Sequence, residues 1–229
     1  MAQVWSAASS APSAPATPEQ APIDALLFDV GGVLIEVDFR LAFAHWAQCA
    51  SVPIEKISSR FRADAAYEAH ERGEIGGAKY FAALRTSLGI DITDEQFTVG
   101  WCSIFRGLIP GVAELLARLA AVRPVYLFSN TNAVHYARWQ TQFPEIVTPI
   151  TQTFCSQQIG LRKPDIKAYE KVASLIGLPP QRIAFFDDLA ENIDGARRAG
   201  LVAHHVPSFA DTERAIAQLC LPPPLPPTT

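Results

Sequence analysis

Ala25-Leu26-Leu27-Phe28-Asp29-Val30-Gly31-Gly32-Val33-Leu34 decides the fold of this chain. An apolar run meets a carboxylate, turns over two glycines and becomes apolar again. A run this short and oily reads as a strand of a parallel sheet, buried on both faces. An acid has no packing reason to end such a strand. In an open α/β sheet, however, ligands bind at the carboxyl ends of strands. Asp29 is therefore the first candidate for chemistry.

The same pattern recurs downstream. Pro124 to Phe128 reads as a strand ending on Ser129-Asn130-Thr131, and Arg182 to Phe186 as one ending on Asp187-Asp188. Thr153-Phe154-Cys155 and Leu201 to Val206 complete the set. Between them lie helical stretches. One opens at Pro110-Gly111. Another opens at Lys163-Pro164-Asp165 and stops at Gly177, and a third runs to Ala199 with Gly200 as its cap. Strands alternating with helices predict an α/β fold, a doubly wound, parallel, Rossmann-like sheet with right-handed crossovers.

From Phe39 to about Arg106 the spacing turns helical and predicts an inserted bundle of four or five helices. Leu41, Phe43, Ala44, Trp46 and Ala47 share one face. A second helix is expected at Pro53 and a third over Ala78 to Leu88, stopped by Gly89. A fourth starts at Thr93, whose spacing to Gln96 is that of a capping box, and carries Phe97, Trp101, Ile104 and Phe105. Tyr67 to Ile75 reads as a charged loop. The expected organisation is thus an α/β core over 22–36 and 107–215 and a helical insert over 37–106. An Ala/Ser/Pro-rich disordered tail precedes it over 1–21, and a Pro-rich tail follows over 216–229.

The composition restricts the function classes. The 229 residues are 49% hydrophobic and carry a formal charge of −4, so no basic field draws the chain to nucleic acid or anionic lipid. No run is long enough to span a bilayer. The four cysteines, Cys49, Cys102, Cys155 and Cys220, form no CxxC pair, and a reducing cytoplasm is the simplest setting. Cys155 reads as buried filler, Trp46 and Trp101 as core of the insert. His45 and His135 read as packed or solvated. The His204-His205 pair alternates faces of a strand and so makes no metal pair.

A parallel sheet brings Asp29, Ser129-Asn130-Thr131 and Asp187-Asp188 to one edge, within reach of Lys163. Carboxylates, a hydroxyl, a lysine and free backbone N–H groups suit a phosphate together with Mg²⁺, a hard ion held by a few carboxylates, phosphate and water. In that setting Ser129 has a place in the motif and also the place of a cap on the following helix, and Asn192 would steady the loop after Asp187.

Four segments in this order carry a family resemblance: Phe28 to Leu34, Leu127 to Asn132, Leu161 to Asp165, and Phe185 to Asp188 with Asn192 after it. The chain resembles the haloacid dehalogenase superfamily in its phosphatase branch, over nearly everything from Ile23 to Val206, and the helical insert matches that family's small cap. Four further segments look like the bacterial α-D-glucose-1-phosphate phosphatase group, related to the N-terminal phosphatase domain of epoxide hydrolases. They are His70 to Ile75, Gln96-Phe97 with Gly100-Trp101, Ser129 to Asn132, and Phe143 to Ile146.

The resemblance implies a Mg²⁺-dependent phosphomonoesterase acting on a small phosphate ester, a hexose 1-phosphate first among them, through an aspartyl-phosphate. It implies Asp29 as nucleophile, and Ser129, Asn130 and Lys163 as phosphate-binding residues. The metal would be held by Asp29, the Gly31 carbonyl, Asp187 and Asp188. One position departs from the family pattern. Where most such phosphatases carry a second aspartate, two residues after the nucleophile, this chain has Gly31. The anomeric hydroxyl of a sugar 1-phosphate is an acidic leaving group and needs less protonation, which fits Gly31. Glu36, Asp38, His70 and Glu74 are the candidates for the missing acid/base. The alternatives are a 2-haloacid dehalogenase and a non-catalytic module that binds phosphate or a partner.

Overall fold

The computed structural model describes residues 22–219, and the two expected tails lie largely outside them. The elements run β1 (Ala25–Phe28), β2 (Ile35–Val37), α1 (Phe39–Ala50), α2 (Ile54–Ser58), α3 (Ala65–Glu71), α4 (Gly77–Leu88), α5 (Asp94–Cys102) and β3 (Phe105–Leu108). They continue with α6 (Val112–Ala120), β4 (Val125–Ser129), α7 (Ala133–Gln142), α8 (Pro144–Val147), β5 (Gln152–Cys155) and α9 (Ser156–Ile159). The chain closes with α10 (Ile166–Ile176), β6 (Ile183–Asp187), α11 (Ala190–Arg198), β7 (Val202–His205) and α12 (Phe209–Gln218).

Five strands form a parallel sheet in the order β5-β4-β1-β6-β7, with β1 at its centre. Alternation along each strand divides the side chains between two layers. Leu26 and Phe28 of β1, Val125 and Leu127 of β4, and Ala184 and Phe186 of β6 pack with Val112, Leu115, Leu116 and Leu119 of α6 and with Trp139 of α7. Ala25, Leu27, Phe128, Ile183 and Phe185 face the other way, onto Ala168, Tyr169 and Val172 of α10 and Ile193 and Ala196 of α11. A strand buried on both faces must be apolar throughout, which is why β1 and β6 carry no polar residue before their last position.

Helices α1, α2, α4 and α5 share a separate apolar cluster built on Trp46, Ile57, Tyr80, Phe81, Leu84, Phe97 and Trp101. Trp46 and Trp101 stack at 5.8 Å, as the core residues they were expected to be. The capping box of Thr93 and Gln96 forms as its spacing predicts, and Gly89 ends α4 in the left-handed conformation. Helix α1 lies so close to α5 that a Cβ on Gly100 would stand 2.3 Å from Trp46 Nε1.

Three expectations fail here. Ile104 and Phe105 do not continue the fourth insert helix. That helix ends at Cys102, and Phe105 enters β3, which pairs antiparallel with β2 and ties the two ends of the insert together. Tyr67 to Ile75 is loop only from Arg72 onward; Tyr67 to Glu71 are helical, because Asp64 accepts from the Ala66 and Tyr67 N–H groups and starts α3. Ser129 does not cap the next helix. Asn132 does, accepting the His135 N–H at 3.0 Å.

Candidate active site

The carboxyl ends of β1, β4 and β6 meet at one edge of the sheet. Asp29 follows β1 directly, Ser129 closes β4 and Asp187 closes β6. Between them stands Lys163. Its Nζ lies 2.8 Å from Asp29 Oδ1 and 2.6 Å from Asp187 Oδ2, and the side chain is 1% exposed. Such a cation is tolerable in the interior only because two carboxylates and two ring faces surround it. The rings of Phe128 and Phe185 each lie 5.3 Å from Nζ.

Lys163 comes from the loop between α9 and α10, and the sequence fastens that loop. The Asn130 side chain clasps it at both ends of its amide. Nδ2 donates to the Lys163 carbonyl, and Oδ1 accepts the Lys163 N–H, each at 2.8 Å. Ser156 clasps the loop after β4 in the same way, through the Thr131 N–H and carbonyl. Both loops are therefore positioned relative to each other without help from a ligand.

The two motif-four acids have different surroundings. Asp187 is fully buried and accepts from Lys163, from the Leu189 N–H and, on both its oxygens, from Asn192 Nδ2. Asn192 thus steadies the loop as expected. Asp188 lies at the cavity wall beside Gly32, whose φ of +83° lets the backbone pass where a Cβ would touch the Asp188 carboxylate. Burial raises the Asp188 carboxyl above its ordinary value, and Asp187 adds to the effect. Asp29 is pushed up to about 7, by burial first; the pull of Lys163 opposes this, and the Asp187 charge adds to it.

These three carboxylates each place an oxygen within 4.8 Å of the other two. Lys163 is the cation that bonds within the group, which leaves a surplus of negative charge. The Gly31 carbonyl takes no backbone hydrogen bond among the described residues. An all-oxygen donor set with surplus negative charge fits a small hard dication such as Mg²⁺.

A cavity of about 360 Å³ opens over this edge. Asp29, Gly31, Ser129, Asn130, Lys163 and Asp188 line its floor, so the structure brings together every residue expected at the site; Asp187 alone among them does not line the cavity and reaches it through Lys163. Val37, Phe39, Ile104 and Phe105 make an apolar wall on the side of the helical insert. Two further charged residues line the cavity, Glu71 and Arg162, which the sequence placed in the resembling segments without giving either a role. Arg162 Nε donates to Glu71 Oε2 at 2.9 Å, and its Nη1 donates to Glu68 Oε1 at 3.1 Å. The signal was Asp64, a capping residue followed by good helix formers.

None of the acid/base candidates Glu36, Asp38, His70 and Glu74 lines this cavity. Asp38 caps α1 and holds Arg40, Glu74 holds Arg72, and His70 Nδ1 bonds the Ile75 carbonyl. His204 stacks on Phe186, while His205 bonds the Asp188 carbonyl, so the two rings make no metal pair. Cys155 is buried and forms no disulfide among the described residues.

A family model for haloacid dehalogenase-like hydrolases matches residues 23–200. Among curated proteins, the chain is 26% identical over 204 residues to phosphatase MT3486 of Mycobacterium tuberculosis, covering 86% of this chain and 93% of that one. It is 24% identical over 201 residues to the sesquiterpene phosphatase astK of Aspergillus oryzae, covering 85% and 95%. Among solved structures it is similar to the enzyme bt-2542 of Bacteroides thetaiotaomicron in complex with magnesium and inorganic phosphate. That match has a TM-score of 0.71 and 26% identity, covering 80% of this chain and 93% of that one.

Proposed function

Since the chain belongs to the haloacid dehalogenase-like hydrolases, we propose that it is a Mg²⁺-dependent phosphomonoesterase of small molecules. One observation carries this reading: a buried lysine joins the strand-end acid Asp29 to Asp187 on the floor of a cavity. Burial alone explains a cation beside Asp187, but the same lysine also lines the cavity next to Asp29, where it can meet a dianionic phosphoryl group attacked by that carboxylate. The phosphatase names of two relatives and the phosphate held by bt-2542 support it.

Asp29 attacks phosphorus and becomes an aspartyl-phosphate, which water then hydrolyses. The Ser129 hydroxyl and the Asn130 backbone N–H bind the transferring oxygens. Lys163 opposes the burial that raises the Asp29 carboxyl, and so favours its reactive ionised form, and it neutralises charge on the phosphoryl group without reorganising as the reaction proceeds. Asp29, the Gly31 carbonyl, Asp187 and Asp188 would hold Mg²⁺, which supplies Lewis-acid stabilisation of the phosphoryl oxygens. The Asp187-Asp188 pair argues against the metal-free dehalogenase alternative. The helical insert serves as a cap over the cavity, and the chain works in the cytoplasm.

For the alcohol half of the substrate, the segments resembling the glucose-1-phosphate phosphatase group support a hexose 1-phosphate. A second reading is favoured by the wall of Val37, Phe39, Ile104 and Phe105, which suits an apolar alcohol like that named in the Aspergillus relative. A panel of phosphate esters, with hexose 1-phosphates beside terpenyl and aryl phosphates, separates the two when assayed with Mg²⁺ and in EDTA. Asp29→Asn is the blank. Turnover is expected only with the metal and the intact Asp29. Failure on every ester would defeat the phosphatase reading.

A further inference from the structure

We propose that Glu71 is the acid/base of this site, giving a proton to the leaving-group oxygen and taking one from the attacking water. The assignment rests on the phosphatase reading and fills the place left by Gly31.

The observation behind it is positional. The position two residues after Asp29 offers no side chain, and Glu36, Asp38, His70 and Glu74 do not line the cavity. Of the described carboxylates, the cavity is lined by Asp29, Asp188 and Glu71. The first two belong to the cluster that suits a cation, and Glu71 stands apart from it on the insert. It projects from the last turn of α3, is 5% exposed, and faces the cavity shared with Asp29.

The other titratable groups on the walls are poorly suited to proton exchange. Lys163 is held between two carboxylates. His135 bonds the Trp101 carbonyl through Nε2, and burial lowers its pKa to about 3, so the ring resists protonation. Burial moves the Tyr67 hydroxyl well above its ordinary range.

The surroundings of Glu71 suit both halves of such a cycle. The groups facing it are Arg162 from the loop before α10, Tyr67 on its own helix, Tyr80 on α4, and Lys163 across the cavity. Burial raises its carboxyl above the ordinary value, against the opposing pull of Arg162, so the protonated form is within reach. Once the proton has left, Arg162 and Tyr67 hold the carboxylate in place.

The step balances. As the Asp29 oxygen bonds to phosphorus, the bond from phosphorus to the ester oxygen breaks, and that oxygen takes the Glu71 proton and departs as the alcohol. In the second half, the Glu71 carboxylate takes a proton from water as the water oxygen bonds to phosphorus. Asp29 is released, phosphate leaves, and Glu71 is protonated again. General acid help of this kind contributes about 10²–10⁴-fold.

A merely structural Glu71, tying α3 to Arg162, would affect all substrates alike. An acid affects poor leaving groups most. The test therefore compares kcat/KM of the wild type and Glu71→Gln on an alkyl phosphate and on a nitrophenyl phosphate, whose phenolate leaves unaided. The expected result is a loss of about 10²-fold or more on the alkyl ester and under about 10-fold on the nitrophenyl ester. Equal losses on both esters, or no loss on either, overturn the assignment. If Glu71→Gln does not fold by circular dichroism, Glu71→Asp gives the same comparison, since a shortened acid is misplaced but still ionisable. Wild-type protein that turns over neither ester above the Asp29→Asn blank shows instead that the phosphatase reading has failed.

Discussion

Lys163→Met removes the one cation bonded between Asp29 and Asp187 and leaves two buried carboxylates confronting each other. Nζ lies 2.8 Å and 2.6 Å from them, and the lysine is 1% exposed, so water cannot take its place cheaply. Breaking a buried ionic group by deleting one partner costs about 3–5 kcal/mol. Asp187 keeps its bonds from Leu189 and Asn192, which places the expected loss near the lower end, at about 3 kcal/mol. For a chain of this length each kcal/mol moves the melting temperature by about 2–4 °C, so a fall of roughly 6–12 °C is expected. The pH dependence carries the sharper signature. Without the ammonium, the Asp29 carboxyl, pushed up to about 7 even in its presence, binds its proton more tightly still in the folded chain. The folded state then binds the excess protons, so its stability falls as pH rises. The deficit relative to wild type should be largest on the alkaline side and shrink as pH falls toward about 7, where Asp29 takes up its proton in the wild type too. Urea unfolding in EDTA, so that no divalent ion substitutes for the lysine, measures it. A deficit below about 1 kcal/mol, or one that is flat across that range, would refute the claim that this contact is a buried charge group.

His135 tests the same logic with the opposite sign. Its folded pKa, about 3, lies below the unfolded value of 6.5, so its contribution is fully present above 6.5 and is lost as pH falls toward 3, at about 1.4 kcal/mol per pH unit. His135→Gln, which can still donate to the Trp101 carbonyl, should flatten the unfolding profile between about pH 6 and pH 4; profiles parallel to wild type would contradict the assignment. Gly32→Ala addresses the metal. Its φ of +83° strains any side chain, and the new Cβ would stand 2.5 Å from Asp188 Oδ2, forcing that carboxylate away. Mg²⁺ should raise the melting temperature of the wild type by mass action and raise that of Gly32→Ala much less. An equal rise in both would remove Asp188 from the proposed ligands.

The sheet was legible because each of its central strands is specified twice. β1, β4 and β6 are apolar along their length, which two buried faces require, and each runs into polar residues where the sheet edge opens. The floor of the site inherits that legibility, since topology alone gathers the three strand ends. The cap side did not, and α3 shows why. Its charged residues gave no amphipathic stripe because their partners lie elsewhere in the chain. Glu71 meets Arg162 across 91 residues of sequence, and Glu68 meets it across 94. A charge paired at that distance is indistinguishable, by local spacing, from a charge in water. β3 was hidden for a related reason, because Phe105 follows an apolar helical pattern and becomes a strand only by pairing with β2. The consequence bears on Gly31. A catalytic group two residues from the nucleophile is held by the same strand end and can be read from the motif. One supplied by the insert depends on where α3 docks. Its absence from the motif therefore says nothing about its absence from the site. Glu71, which meets that condition, reaches the cavity through a helix that had read as loop.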